Sequence, residues 1–239
     1  MKSIIGSGAA IVIGAAGIST LLATSASAGP PQTCTGTMTG TYAAINVPAG
    51  ATCTLDGATV RGNVTVGIGS TLMTTGSTIR LNVKGNLAAK VHIIDTDVWG
   101  QIHLTRTAGE IIIGNDGCKV DPNAGGNINL QDNFGPIAIC QMTIKNNILL
   151  HGNHNRIGVF DNRVGNNIHV YRTDAPAIRL RDNTVRGNLA MFDNTVVKAF
   201  VAKGNTIGGK ANCRGNMIAP TGSANTAAGG LTGQCAGLG

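Results

Sequence analysis

Apolar and polar residues alternate along this chain in short runs that return at a nearly fixed interval. Eight segments share one phrase: TVRGNVTV (59–66), TIRLNVKG (78–85), DVWGQIHL (97–104), NAGGNINL (123–130), TIKNNILL (143–150), RVGNNIHV (163–170), TVRGNLAM (184–191) and TIGGKANC (206–213). Their starts lie 19, 19, 26, 20, 20, 21 and 22 residues apart. A period near 20 with no helical pattern inside it predicts a β-solenoid.

Aligned as eight rows, the phrase separates into columns. The second column is Val60, Ile79, Val98, Ala124, Ile144, Val164, Val185 and Ile207; the sixth is Val64, Val83, Ile102, Ile128, Ile148, Ile168, Leu189 and Ala211. Apolar residues make up 42% of the chain, so an all-apolar column of eight arises by chance roughly once in a thousand. The eighth column is also apolar apart from Gly85, and the seventh between them is mostly polar. That alternation predicts a strand with one buried face, and its Val and Ile suit a pleated surface. The fifth column is Asn or Gln in seven of eight rows, from Asn63 to Asn188. Asn tolerates left-handed backbone and bonds its own chain, so it predicts a corner, and stacked amides predict a hydrogen-bonded ladder.

A second strand is predicted in most rows, at 92–94, 110–113, 136–139, 157–160, 177–180 and 199–202, with Asp-Asn and Gly-Asn corners around it. Coils of two or three strands, stacked in parallel, give an all-β, single-domain right-handed parallel β-helix by the handedness rule for crossovers. About eight to nine coils are expected. The organisation follows: a leader over 1–28, an N-terminal cap and first coil over 29–58, coils over 59–212, and a C-terminal cap over 213–239. Row three is longest, so 114–126 is the expected protruding loop.

Residues 1–28 read as a secretory signal peptide: Lys2, an apolar stretch from Ile4 to Leu22, and Ala26-Ser27-Ala28 as the A-x-A cleavage site. No other run approaches the ~20 apolar residues that span a bilayer. Six cysteines in an exported chain suggest three disulfides. Neighbours Cys34–Cys53, Cys118–Cys140 and Cys213–Cys235 are 19, 22 and 22 residues apart. Each interval is about one coil, and coils ~4.8 Å apart are within bridging range. With no CxxC motif and no His at finger-like spacing, neither metal nor cofactor is expected.

The formal net charge is +7, which favours anionic partners such as acidic polysaccharide or wall polymer; nothing points to a specific nucleic acid. The third column sharpens this: it reads Arg61, Arg80, Trp99, Gly125, Lys145, Gly165, Arg186 and Gly208, four cations and a tryptophan on what should be one outer face. The same file also reads as a solvated edge. For catalysis, His151, His169 and Tyr171 on rows five and six form the best polar cluster, histidine and tyrosine being able to do acid–base work. Asp161 and Asp182 would stack as a carboxyl pair of the kind glycosidases use, although both precede Asn at corners and turn structure explains them first.

Across rows two to eight the coil architecture resembles the pectin-lyase-like superfamily of right-handed parallel β-helices. Pectate lyases there use calcium-binding carboxylates and an arginine base, often in RxPxxR; here Pro176 and Arg179 match its end, but Asp174 stands where the first Arg belongs. The NTD, DD, GHG and RIK motifs of polygalacturonases are absent, and His151-Gly152-Asn153-His154 is not GHG. VPAGATCTLDGATVRGNVTV (47–66) with the A-x-A leader, and the Cys-bounded tail from CRGNMIAPTGSANT to GQC (213–235), resemble small secreted β-helix proteins of actinomycete-type bacteria with no assigned activity. Bactofilin-like solenoids, which polymerise end to end, are similar in coil length; stapled ends argue against such stacking here. The reading that results is a secreted, non-catalytic β-helix, wall association included, that binds or decorates an anionic extracellular polymer through Arg61, Arg80, Trp99, Lys145 and Arg186. A polysaccharide lyase or hydrolase, and a structural or self-assembling surface protein, are the alternatives.

Overall fold

A computed structural model describes residues 29–114 and 122–239. The expected leader, Cys118 and the centre of the long third-row loop lie outside the described residues. Everything described is strand or turn, and the strands form three parallel sheets of 11, 9 and 10 strands. One representative coil runs Thr143–Ile144, Ile148–His151 and Ile157–Phe160 before the next begins at Arg163–Val164. Each strand pairs only with its counterparts one coil before and after. The result is a parallel β-solenoid of about ten turns, roughly 48 Å long at ~4.8 Å per coil.

The register follows the sequence columns. Val83 lies between Val64 and Ile102, and Ile148 between Ile128 and Ile168, on the first sheet. Thr59 pairs with Thr78 and Val60 with Ile79 on the third. The second sheet stacks Val91, Ile111, Ile137, Ile157, Ile178 and Phe200. These files fill one continuous core: Ile102, Leu104, Ile128, Leu130, Ile148 and Leu150 are all 0% exposed. Each such side chain contributes roughly 1.5–3 kcal/mol by leaving water. The ladder runs past the eight rows at both ends, which is why there are more coils than rows. Gln32–Thr33 pairs with Ile45–Val47, and Leu231–Gly233 with Ala211–Arg214.

Disulfides Cys34–Cys53 and Cys213–Cys235 join adjacent coils near the two ends, with Cα–Cα distances of 5.4 and 5.1 Å. Cys140 is also disulfide-bonded; its expected partner Cys118 is outside the described residues. These bonds fit an oxidising compartment. Among the described residues no helix is long and apolar enough to cross a membrane.

The Asn ladder exists, but the corner chemistry differs from the expectation. None of Asn63, Asn82, Asn127, Asn147, Asn167 or Asn188 has positive φ. Their amides work instead by bridging coils: Asn127 Oδ1 accepts from the Asn147 backbone N–H at 3.2 Å and from Asn147 Nδ2 at 2.9 Å. The left-handed residues are those that open the other two corners, among them Asp132 (φ 53°), Asp161 (φ 54°), Asp182 (φ 56°) and Asp193 (φ 55°). The Asn that follows each of them turns inward. Asn162, Asn183 and Asn205 are each 1% exposed, and each donates to the next: Asn162 Nδ2 to Asn183 Oδ1 at 3.0 Å, Asn183 Nδ2 to Asn205 Oδ1 at 2.9 Å, Asn205 Nδ2 to Asn225 Oδ1 at 2.8 Å. The second amide hydrogen goes to a carbonyl, Val159 O at 2.9 Å for Asn183. Burial of an amide is tolerated because both donors and the acceptor are used.

Candidate functional site

The third column is set by the backbone. Its N–H groups donate to second-column carbonyls one coil back: Arg80 to Val60 at 2.8 Å, Trp99 to Ile79 at 2.8 Å, Lys145 to Ala124 at 2.9 Å and Arg186 to Val164 at 2.9 Å. The structure therefore does bring Arg61, Arg80, Trp99, Lys145 and Arg186 into one file, and all five are exposed. The Arg80 guanidinium lies 5.4 Å from the Trp99 ring centroid, a cation–π contact that holds the indole against the coil below. None of the four cations has an acidic partner among the described residues.

From Trp99 onward, side chains and glycines alternate: Trp99, Gly125, Lys145, Gly165, Arg186, Gly208. The glycines are a packing requirement. A Cβ on Gly165 would sit 2.2 Å from the Lys145 carbonyl oxygen. Gly165 thus leaves a notch of about 380 Å³ between Lys145 and Arg186, with Ile144 and Val164 as an apolar floor. Large side chains recur every second coil, a spacing of ~9.6 Å.

The His–Tyr patch also assembles, on the outer face of the first sheet. His151 pairs with Tyr171 and His169 lies two residues before Tyr171 on the same strand. The His151 and Tyr171 rings pack along the solenoid axis at 4.7 Å, and the Arg214 guanidinium lies 4.6 Å from the ring of Phe192, its partner on the preceding coil. These rings turn toward one another or toward a guanidinium, so they support the coils rather than offer a flat platform. Burial pushes the His169 imidazole below its usual 6.5. It borders a groove of about 350 Å³ with Tyr171, Arg172, Ala190, Phe192 and Asp193.

Asp161 and Asp182 do not join this patch. They stand exposed at the corner after the second sheet, in the left-handed conformation that the turn requires. Pro176 and Arg179 lie within the strand Asp174–Arg181, Pro176 at a register shift of the second sheet and Arg179 in register with Val201. Among the described residues no three His, Cys, Asp or Glu side chains gather as a metal-holding group, so the carboxylate cluster implied by a lyase resemblance has no counterpart there.

The fold also brings together a polar group that the sequence columns do not show. Lys84, His103 and Arg106 line a pocket of about 440 Å³ with Thr65, Asn86 and Thr105. Its only sequence signal is that the seventh column holds Lys84 and His103 in successive rows. Comparison with protein-family models, with curated proteins and with solved structures finds no match to this chain.

Proposed function

We propose that this is an exported, non-catalytic β-helix protein that binds an anionic extracellular or cell-wall polymer along the third-column file. The observation that carries the reading is the unpaired cation file itself, with Trp99 in its run and a notch at Gly165. Long cationic side chains separated by glycine notches suit an extended chain bearing regularly spaced anionic groups. From Trp99 to Arg186 the two-coil spacing suits a polymer whose charges recur at about that interval, such as an acidic polysaccharide with a disaccharide repeat, while Arg61 and Arg80 add charge on adjacent coils. Exposed charge pairs are individually weak, so binding depends on several contacts together and weakens with salt.

The test is co-sedimentation with purified cell wall and with acidic polysaccharide at rising salt. Pelleting is expected at low salt and declines toward 1 M, where the screening length is about 3 Å. Replacing Arg61, Arg80, Lys145 and Arg186 together by Ala should weaken binding by about tenfold or more, at a few tenths of a kcal/mol per contact. Unchanged binding removes the face from the proposal.

A second reading, acid–base chemistry on a polyuronate at the first-sheet groove, draws on the proximity of His169 and Tyr171 and on a His169 whose proton affinity burial lowers. It requires product formation on a polyuronate panel and loss of that activity in His169→Ala; absence of any product sets it aside.

A further inference from the structure

The pocket of about 440 Å³ on the outer face of the first sheet lies apart from the third-column file and from the His–Tyr patch. It spans three coils in strict register: Thr65 beside Lys84, Lys84 beside His103, and Asn86 beside Thr105. Arg106 follows at the corner, in the left-handed region at φ 52°, its backbone N–H bonded to Gln131 O at 3.0 Å. That anchorage fixes the Arg106 backbone beside the pocket.

Apart from Thr105, whose one hydroxyl hydrogen is given to Asn86, every polar side chain on this pocket's wall has a hydrogen to donate into it. Lys and Arg have no acceptor atoms, and a neutral imidazole still carries one N–H. The Thr105 hydroxyl donates to Asn86 Oδ1 at 3.0 Å, which occupies the amide oxygen and leaves the Asn86 NH₂ as the free end. No carboxylate lines the pocket, and neither Lys84 nor Arg106 has an ion-pair partner among the described residues. The acid one coil on at the same corner, Asp132, is turned away: its Oδ1 lies over Gly152, 2.2 Å from where a Cβ there would stand. A concave, donor-rich wall with two cations is complementary to an oxyanion, because charge-assisted bonds are about twice as strong as neutral ones.

We infer that Lys84, His103, Arg106 and the Asn86 amide, which Thr105 orients, form a seat for a tetrahedral oxyanion, either a free phosphate or sulfate ion or a phosphate ester on a saccharide. The site stands on its own observations and does not depend on the polymer reading of the third-column file.

The full, disulfide-bonded protein is titrated with inorganic phosphate, inorganic sulfate and glucose 6-phosphate, following the His103 ring signals by NMR. Saturable shifts at His103 are expected. Lys84→Ala combined with Arg106→Ala should weaken phosphate binding by about tenfold or more, about 1.4 kcal/mol. Thr105→Val, which leaves the charge unchanged, should weaken it several-fold. Lys198→Ala with Lys203→Ala removes the same charge from exposed positions elsewhere and should leave the affinity as it was. Binding of inorganic phosphate and glucose 6-phosphate alike supports a seat for a substituent, and binding of the free ions alone supports a free-ion site. Shifts that never saturate, or an equal loss in the Lys198/Lys203 variant, would overturn the assignment in favour of general electrostatic attraction.

Discussion

Asparagine has two different roles in this chain, and the difference is energetic. In the fifth column the amides are partly exposed and water competes for them, as at Asn147. At the other corners they are sealed inside, and the Asn183 side chain makes four bonds: it accepts from Asn162 N and Nδ2 and donates to Val159 O and Asn205 Oδ1. Asn183→Ala strands buried donors and acceptors on two neighbouring coils, so it should cost about 3 kcal/mol or more. Asn147→Ala should cost about 1 kcal/mol, since its partners regain water. Equal losses in urea denaturation would show that burial does not separate the two files. His169 gives a pH test. Its folded-state proton affinity is lowered by burial, so between that lowered value and 6.5 the unfolded chain binds more protons than the folded one. Stability should therefore fall as pH drops from about 6.5, and His169→Gln should flatten that part of the profile. The fifth-column Asn was legible because it repeats in nearly every row. The buried files were legible only as turn letters, since whether an amide faces in or out depends on the coil beside it.

Among the elements, the coil is the unit of stability, because each strand pairs only with strands of the coil before and the coil after. A solenoid of this kind behaves as a row of nearest-neighbour interfaces, and its terminal coils, with one neighbour each, are the weakest. The two disulfides sit at those ends and close loops of 19 and 22 residues in sequence separation. Each should stabilise by about 3 kcal/mol through the unfolded state. Replacing Cys34 and Cys53 by Ser is expected to release hydrogen-exchange protection first in Ile45–Val47 and Thr52–Asp56, while central strands such as Ile148–His151 stay protected. Uniform loss of protection along the rod would instead mean that it unfolds as one cooperative block. These pairings were legible because a disulfide between stacked coils must have the spacing of the coil itself. The register shift between Asp174–Arg181 and Thr195–Lys203 was not, because the extra residue, which lies in the second of these strands, looks in sequence like a slightly longer row.

At the scale of the whole molecule, the C-terminal segment closes the open end of the core. Cys235 is 0% and Leu238 2% exposed, and Leu238 O accepts from Asn225 Nδ2 at 2.7 Å, ending the buried amide ladder. Deleting residues 231–239 removes the strand paired to Ala211–Arg214 and bares an edge that templates pairing with other chains. The truncated protein is expected to scatter more light as its concentration rises, against a flat response from the full chain; identical responses would show that this cap does not limit association. The molecule's outer surface is then divided among three corners and three faces, and the proposed sites fall on different ones. The third-column file follows a corner. The oxyanion seat and the His–Tyr patch share one face, several coils apart. Of these, the cation file and the His–Tyr patch were legible as columns, and the oxyanion seat was not, because Arg106 lies beyond the repeated phrase and joins Lys84 and His103 only through the turn that follows the strand.

The sequence by itself determined what depends on a residue's place within its own coil: the buried files, the strand register, the fifth-column ladder and the pairing of neighbouring cysteines at the two ends. A period of one coil makes each of these a local property repeated many times, so the pattern survives without coordinates. Only the tertiary structure decided which corners take the left-handed backbone, which asparagines turn inward and which polar residues share a pocket. Those depend on the angle at which one strand leaves for the next face and on the size of the side chain one coil away. Gly165 is the simplest case: in sequence it is a gap in a basic column, and in the folded coil it is the notch between Lys145 and Arg186.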